Sequence, residues 1–233
     1  MNANSKLLAT FCALAAFCAL LTPKASAQAT PPAAKVGFVR MVNAVAQGSG
    51  PLELLVNGES MNPDGYNLGD VTGGIGLKPG AHEISFRRQG LKEGSTRINV
   101  AADNTTTLIP FAERVPATDE KPAHWAIRIL RLKQMEPETE RTATFVSVSQ
   151  SPEHEVEIRD PKGNWTKVFV KRLVISRTPI LYPEGYVPLR HKEGKLPSIP
   201  VGEPGNYVVV LYDNAEGKMQ AVNLQDYKYL SAD

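Results

Sequence analysis

Four histidines, His82, His124, His154 and His191, are the chain's candidates for proton transfer or metal ligation. A helical zinc motif sets two histidines four residues apart so that both reach one ion, and none of the four stands at that spacing. His82-Glu83 and His154-Glu155 each join an imidazole to a carboxylate in sequence. On a strand, neighbouring side chains point to opposite faces, so these read as surface or half-buried strand histidines. Oxygen ligands gather at residues 62–70, where Asp64 and Asp70 are the candidates for a metal. With Asn62 as the third position of a calcium loop, the twelfth falls on Val71, where a bidentate acid is required. The segment therefore reads as an Asp-Gly turn. For nucleophilic chemistry, Gly48-Ser49-Gly50 and Gly58-Glu59-Ser60 both fall short of the Gly-x-Ser-x-Gly elbow. The carboxylates of 136–140 and 153–157 have no aromatic cleft motif beside them and read as solvated. Gly73-Gly74-x-Gly76 leads into a strand, so it offers no helix N-terminus to a phosphate. These residues predict neither a catalytic centre nor a cofactor.

Aromatic residues point instead to binding. Six of the seven tyrosines fall after residue 180, and Tyr182-Pro183-Glu184-Gly185-Tyr186 stands in a proline-rich stretch that reads as irregular. Binding residues concentrate on such loops. Tyr182, Tyr186 and Trp165 are thus the candidate ligand platform, for a sugar ring or a small ligand. Tyrosines filling sandwich edges are the alternative.

These residues need a scaffold, and its compartment comes first. Lys6, the apolar run 7–21 and Ala25-Ser26-Ala27 read as a secretory signal cleaved before Gln28. The run is shorter than the roughly 20 residues of a membrane-spanning helix. Both cysteines, Cys12 and Cys18, lie inside it, so the mature chain has no thiol and no disulfide. Removing the signal also removes Lys6 and Lys24, leaving 24 basic against 24 acidic residues. A balanced charge gives nucleic-acid binding no support.

Residues 28–35 read as a spacer. A proline- and charge-rich break at 116–124 predicts a linker, which divides the remainder into 36–115 and 125–233. Within them, short β-rich runs alternate with glycine and proline turns. The runs are 38–43, 52–56, 81–88, 97–100, 105–112, 125–132, 142–149, 154–159, 165–176, 207–212 and 219–224. Asn57-Gly58 is a tight-turn dipeptide. Leu77-Lys78-Pro79-Gly80 precedes one alternating strand, and Val201-Gly202-Glu203-Pro204-Gly205 precedes another. That recurrence predicts two related β domains in tandem.

The ordered set Arg40-Met41-Val42-Asn43-Ala44, Leu52-Glu53-Leu54-Leu55-Val56-Asn57-Gly58, Leu68-Gly69-Asp70-Val71-Thr72 and Leu77-Lys78-Pro79-Gly80 resembles a family of secreted bacterial domains of unknown function. The resemblance covers about residues 36–112. It implies an immunoglobulin-like antiparallel β-sandwich in envelope or extracellular proteins, and carries no catalytic residue with it. The expectation is an all-β chain of two tandem sandwiches, exported to the periplasm, outer surface or medium of a bacterium. Its role would be structural, adhesive or in assembly. It would bind an envelope or extracellular protein through sheet edges or loops, with no transmembrane segment in the mature chain. The alternative is a glycan- or small-ligand-binding module at the tyrosine-bearing loop.

Overall fold

The computed structural model describes residues 35–134 and 140–226. The expected signal, nearly all of the spacer, the carboxylates at 136–139, and Tyr227 and Tyr229 lie outside the described residues. Period-two alternation yields sixteen strands and no helix among the described residues. The first eight are β1 (Gly37–Met41), β2 (Ser49–Val56), β3 (Glu59–Ser60), β4 (Ile75–Leu77), β5 (Gly80–Gln89), β6 (Gly94–Val100), β7 (Thr105–Val115) and β8 (His124–Lys133). They form a sandwich of two four-stranded sheets, β4-β1-β7-β8 and β3-β2-β5-β6. The second eight are β9 (Arg141–Ser147), β10 (Glu153–Arg159), β11 (Trp165–Lys171), β12 (Ser176–Pro179), β13 (Gly185–His191), β14 (Gly194–Val201), β15 (Gly205–Asp213) and β16 (Met219–Asp226). Their sheets are β12-β9-β15-β16 and β11-β10-β13-β14. The second set repeats the first strand for strand, down to the parallel pairing of β1 with β7 and of β9 with β15. The chain is all-β, and its architecture is two tandem β-sandwiches.

Each core follows from alternation. Val39, Met41, Leu54, Ile84, Phe86 and Leu108 fill the first sandwich. Phe145, Val156, Leu189, Ile199, Tyr207, Val209 and Leu211 are among those filling the second. β15 is buried on both faces, because Val208, Val210 and Tyr212 point the other way into a third cluster with Val42, Ile109, Phe111, Leu132 and Val146. Residues 207–212, expected as an alternating strand with one buried face, are instead a continuous apolar run, as a strand covered on both faces must be. The third cluster joins the two sandwiches. Arg40 clasps it at one side, donating to Thr107 Oγ1 at 2.6 Å, to the Gln225 carbonyl at 2.6 Å and to Asp226 Oδ1 at 3.3 Å. The Arg40 and Asp226 side chains are 10% and 7% exposed.

Four further expectations change. The segment 116–124 joins two strands of one sheet, since β8 pairs with β7 from Thr106↔Lys133 to Val115↔His124. The chain passes from one sandwich to the other after Lys133 and before Arg141. Proline and charge mark a long hairpin as well as they mark a linker. Residues 165–176 do not form one strand: β11 stops at Lys171, and Leu173 turns the chain at φ 60° into the opposite sheet. The stretch read as irregular contains the β13–β14 hairpin. Pro197 and Pro200 hid β14, and as an edge strand it can carry them. By topology the counterpart of Gly80, which opens β5, is Gly185, which opens β13; Pro204-Gly205 opens β15, whose counterpart β7 follows Asp103-Asn104. The two Pro-Gly units are therefore not equivalent positions. The Asn57-Gly58 turn does form as read, with φ 52° and 87°.

Candidate functional site

The three aromatic candidates occupy three different environments. Tyr182 packs against the second core and donates its hydroxyl to the Asp160 carbonyl at 3.1 Å. Trp165 lies on the outer face of its sheet, with the Arg190 guanidinium 4.1 Å from the ring centroid and that of Arg159 at 5.8 Å. Arg190 is held there by Glu157, whose carboxyl stays below its usual range through that hydrogen bond. Tyr186, 74% exposed, is the one that presents an open ring. Asp70 spends its carboxylate on a turn, while Asp64 is exposed and only its backbone joins one. The Asp64 N–H donates to Asn62 Oδ1 at 3.2 Å, and Asp70 Oδ2 accepts from the Asn67 N–H at 2.7 Å. No group of three or more His, Cys, Asp or Glu that could hold a metal ion occurs among the described residues.

Sequence reasoning missed a buried histidine pair. His154 on β10 and His191 on β13 stand on adjacent strands with ring centroids 5.6 Å apart, edge to face. Their separation in sequence gave no signal, and only the register Val156↔His191 brings them together. Ser149 Oγ donates to Asp213 Oδ1 at 2.8 Å and accepts the Ser151 N–H at 3.1 Å. A hydroxyl has one proton to give, so the 2.9 Å contact between His154 Nε2 and Ser149 Oγ has the imidazole donating. That order is the reverse of a nucleophilic serine, whose proton must go to the histidine. Ser149 is also 1% exposed. The group supports the interface instead. Gln150, next in sequence, donates its backbone N–H to Asp213 Oδ2 at 2.7 Å and its side chain to the Ala112 carbonyl of the first sandwich at 2.8 Å. Burial pushes both histidines below their ordinary pKa, and for His154 the neighbouring His191 adds to this.

A sandwich has two open sides, where the edge strands of its sheets lie one above the other, and three of the four here are closed. Lys92 bridges β6 to β8 by accepting the Ile127 N–H and donating to the Trp125 carbonyl, each at 2.9 Å. Asn223 on β16 donates its amide to the Pro197 and Ser198 carbonyls of β14 at 3.0 Å. The β3–β4 side is covered by residues 61–74. Met61 and Tyr66 of this segment pack on the first core and Leu68 on the third cluster, while Leu52 and Tyr66 exchange backbone hydrogen bonds at 2.8 Å. Buried Asn43 sews that cover down. Its amide donates to the Tyr66 and Asn67 carbonyls at 3.1 and 2.9 Å, its Oδ1 accepts the Val45 N–H, and its backbone bonds both Gly69 and Asp70. Gly69, at φ +87°, lies where a Cβ would stand 2.6 Å from the Tyr212 hydroxyl.

The fourth side, β11–β12, is bridged by the Ser176 hydroxyl donating to the Phe169 carbonyl, but its apolar side chains have no cover. Only residues 172–175 connect its strands, and Phe169, Leu173, Val174 and Ile175 are exposed at 54%, 40%, 50% and 45%. Scattered exposed apolar residues are ordinary, whereas contiguous ones mark interaction surfaces. Two carbonyls of this edge are committed: that of Phe169 accepts the Ser176 hydroxyl at 3.0 Å and that of Lys171 accepts the Val174 N–H at 3.2 Å. What the side offers is side chains.

No protein-family model matches the chain, and no curated protein matches it. Among solved structures, the Bacillus anthracis TIE protein aligns at 12% identity over 76% of this chain and 50% of its own, with a TM-score of 0.24. The chain thus spans about half the length of that protein, and a likeness so distant carries no argument about function.

Proposed function

We propose that this chain is an exported, non-catalytic binding component of a bacterial envelope, in an adhesive or assembly role, and that it docks through the β11–β12 side of its second sandwich. One observation carries the reading: Phe169, Leu173, Val174 and Ile175 are exposed together on the one uncovered sandwich side. Docking there works by burying apolar side chains, at about 25 cal/mol per Å² removed from water. The test is binding of labelled protein to isolated bacterial envelopes. Exchanging both Phe169 and Val174 for Asp should remove most of that binding while leaving the melting temperature in place. Equal binding by the double variant would refute the reading.

A further inference from the structure

Resting on that reading, we infer that the surface met by the β11–β12 side is an anionic lipid bilayer. The connection places three aliphatic side chains in a row, Leu173-Val174-Ile175, beside Phe169 of the adjoining strand. Its backbone is already provided for. The Arg172 N–H donates to the Pro152 carbonyl at 2.9 Å, the Leu173 N–H to the Ser147 carbonyl at 2.8 Å, and the Val174 N–H to the Lys171 carbonyl at 3.2 Å. Backbone entering hydrocarbon must have its polar groups satisfied within the protein, and this turn meets that condition at three successive amides. The same bonds disfavour a partner strand, which needs free donors and acceptors along an edge. Here the carbonyls of Phe169 and Lys171 are both taken.

The charge around the turn selects the kind of bilayer. From residue 159 to 177 the chain carries six basic residues and a single acid, Asp160. Exposed Lys167, Lys171 and Arg177 flank the apolar side chains, and exposed Lys133 of β8 lines a small cavity together with Ile175. Acids from packed elements cancel part of this charge, at Lys167 and Arg172 above all. Glu155 pairs with Lys167 at 2.9 Å, Glu113 with Arg172 at 3.1 Å, and Glu153 stands opposite Lys171 in the β10–β11 register. Apolar side chains ringed by lysine and arginine are the pattern of an interfacial contact with anionic lipid. The first sandwich differs at the equivalent position, where Met61, Tyr66 and Leu68 turn inward and Val71 alone of the large apolar side chains is exposed.

The test is co-sedimentation with vesicles of phosphatidylglycerol mixed with phosphatidylcholine, set against phosphatidylcholine alone. The exported protein is compared with the V174D/I175D variant prepared in the same way, so that any contribution from residues outside the described chain is common to both. Wild type should bind the anionic vesicles at least about tenfold more tightly than the variant. Lys171→Gln and Lys133→Gln should each weaken binding about fivefold, and added salt should weaken it further. A second variant, Phe169→Ser, guards against misfolding of the first, and the melting temperature of both should match wild type. Equal sedimentation of wild type and V174D/I175D, or equal binding to the two vesicle types, overturns the inference. If vesicles fail but intact envelopes still bind wild type and not the variant, the surface is an acidic protein: the inference falls and the docking reading stands. If neither binds, both fall.

Discussion

The two sandwiches share strand order and strand pairing, yet the chain spends fourteen residues, 61–74, crossing from β3 to β4 and four, 172–175, crossing from β11 to β12. The longer crossing closes its side, laying Met61 and Tyr66 on the core. The shorter cannot reach back over its own sheets, so its apolar residues stay in solvent. The difference teaches that an edge is closed by chain length plus one organising side chain. In the first sandwich that side chain is Asn43, buried and bonded at its amide, its Oδ1 and its backbone. In the second, the position two residues beyond the first strand is Ser149, which turns its hydroxyl to Asp213 and His154 instead.

Breaking Asn43 should therefore have the largest effect. Asn43→Ala orphans the buried Val45 N–H and removes one of two donors from each of the Tyr66 and Asn67 carbonyls, which keep the Leu52 and Asp70 N–H. The orphaned N–H costs about 1–3 kcal/mol and each of the two other lost hydrogen bonds about 0.5–1.5, so a loss of about 3 kcal/mol is expected in urea unfolding. Hydrogen exchange should rise across 61–74 and not across 172–175. Uniform exchange across the first sandwich would show that the asparagine holds the core and not the cover.

Next come paired substitutions at the two crossings. Tyr66→Ser removes a ring packed on the first core and should cost about 2 kcal/mol, less than the roughly 3–5 of a fully buried aromatic. Phe169→Ser removes a ring more than half exposed and should stay within about 0.5 kcal/mol. Equal costs in thermal unfolding would erase the distinction between a covered side and an open one.

Much of this was legible beforehand. Alternation and turn dipeptides located the cores of most strands, and Asn57-Gly58 turns as its residue types dictate, whereas the alternating reading of 207–212 missed its second buried face. The organisation was harder to read. Residues 173–175 continue an apolar series begun at Val168, and nothing in Leu173 announces a left-handed turn that glycine usually supplies. The open side was thus read as one long strand. Pro188, Pro197 and Pro200 disguised a hairpin as a loop, which made Tyr182 and Tyr186 look like neighbours on one surface when one faces the core and the other water. The histidine pair depends on strand register, which no local pattern carries.

A smaller effect should separate the sandwiches by pH. Only the second buries histidines among the described residues, His154 and His191. Lys192 opposes their protonation, Asp213 and Glu193 favour it at His154, and Glu193 and Glu155 favour it at His191. Desolvation prevails, and both folded-state values lie below the ordinary one of about 6.5. The unfolded chain then binds more protons. Stability is fully present above about pH 6.5 and is lost as pH falls from there through the lowered folded values. Urea midpoints at pH 7.5 and 5 should differ by less in His154→Gln, whose amide can still donate to Ser149. An unchanged slope would place the acid sensitivity elsewhere.

The smallest effect tests whether the open side is kept open at a cost. Leu173 holds φ 60° without the freedom of glycine, a conformation that costs an L-residue about 1–2 kcal/mol. Leu173→Gly relieves that strain and gives back part of it, about 0.5–1 kcal/mol, through the greater freedom of the unfolded chain. The net expectation is a stabilisation of about 0.5 kcal/mol, together with weaker binding to anionic vesicles because one aliphatic side chain is gone. The two readouts moving in opposite directions would mark the turn as one whose side chain serves contact at the expense of the fold. A destabilised Leu173→Gly would instead make Leu173 a packing residue, and the β11–β12 side would then be less open than its counterpart suggests.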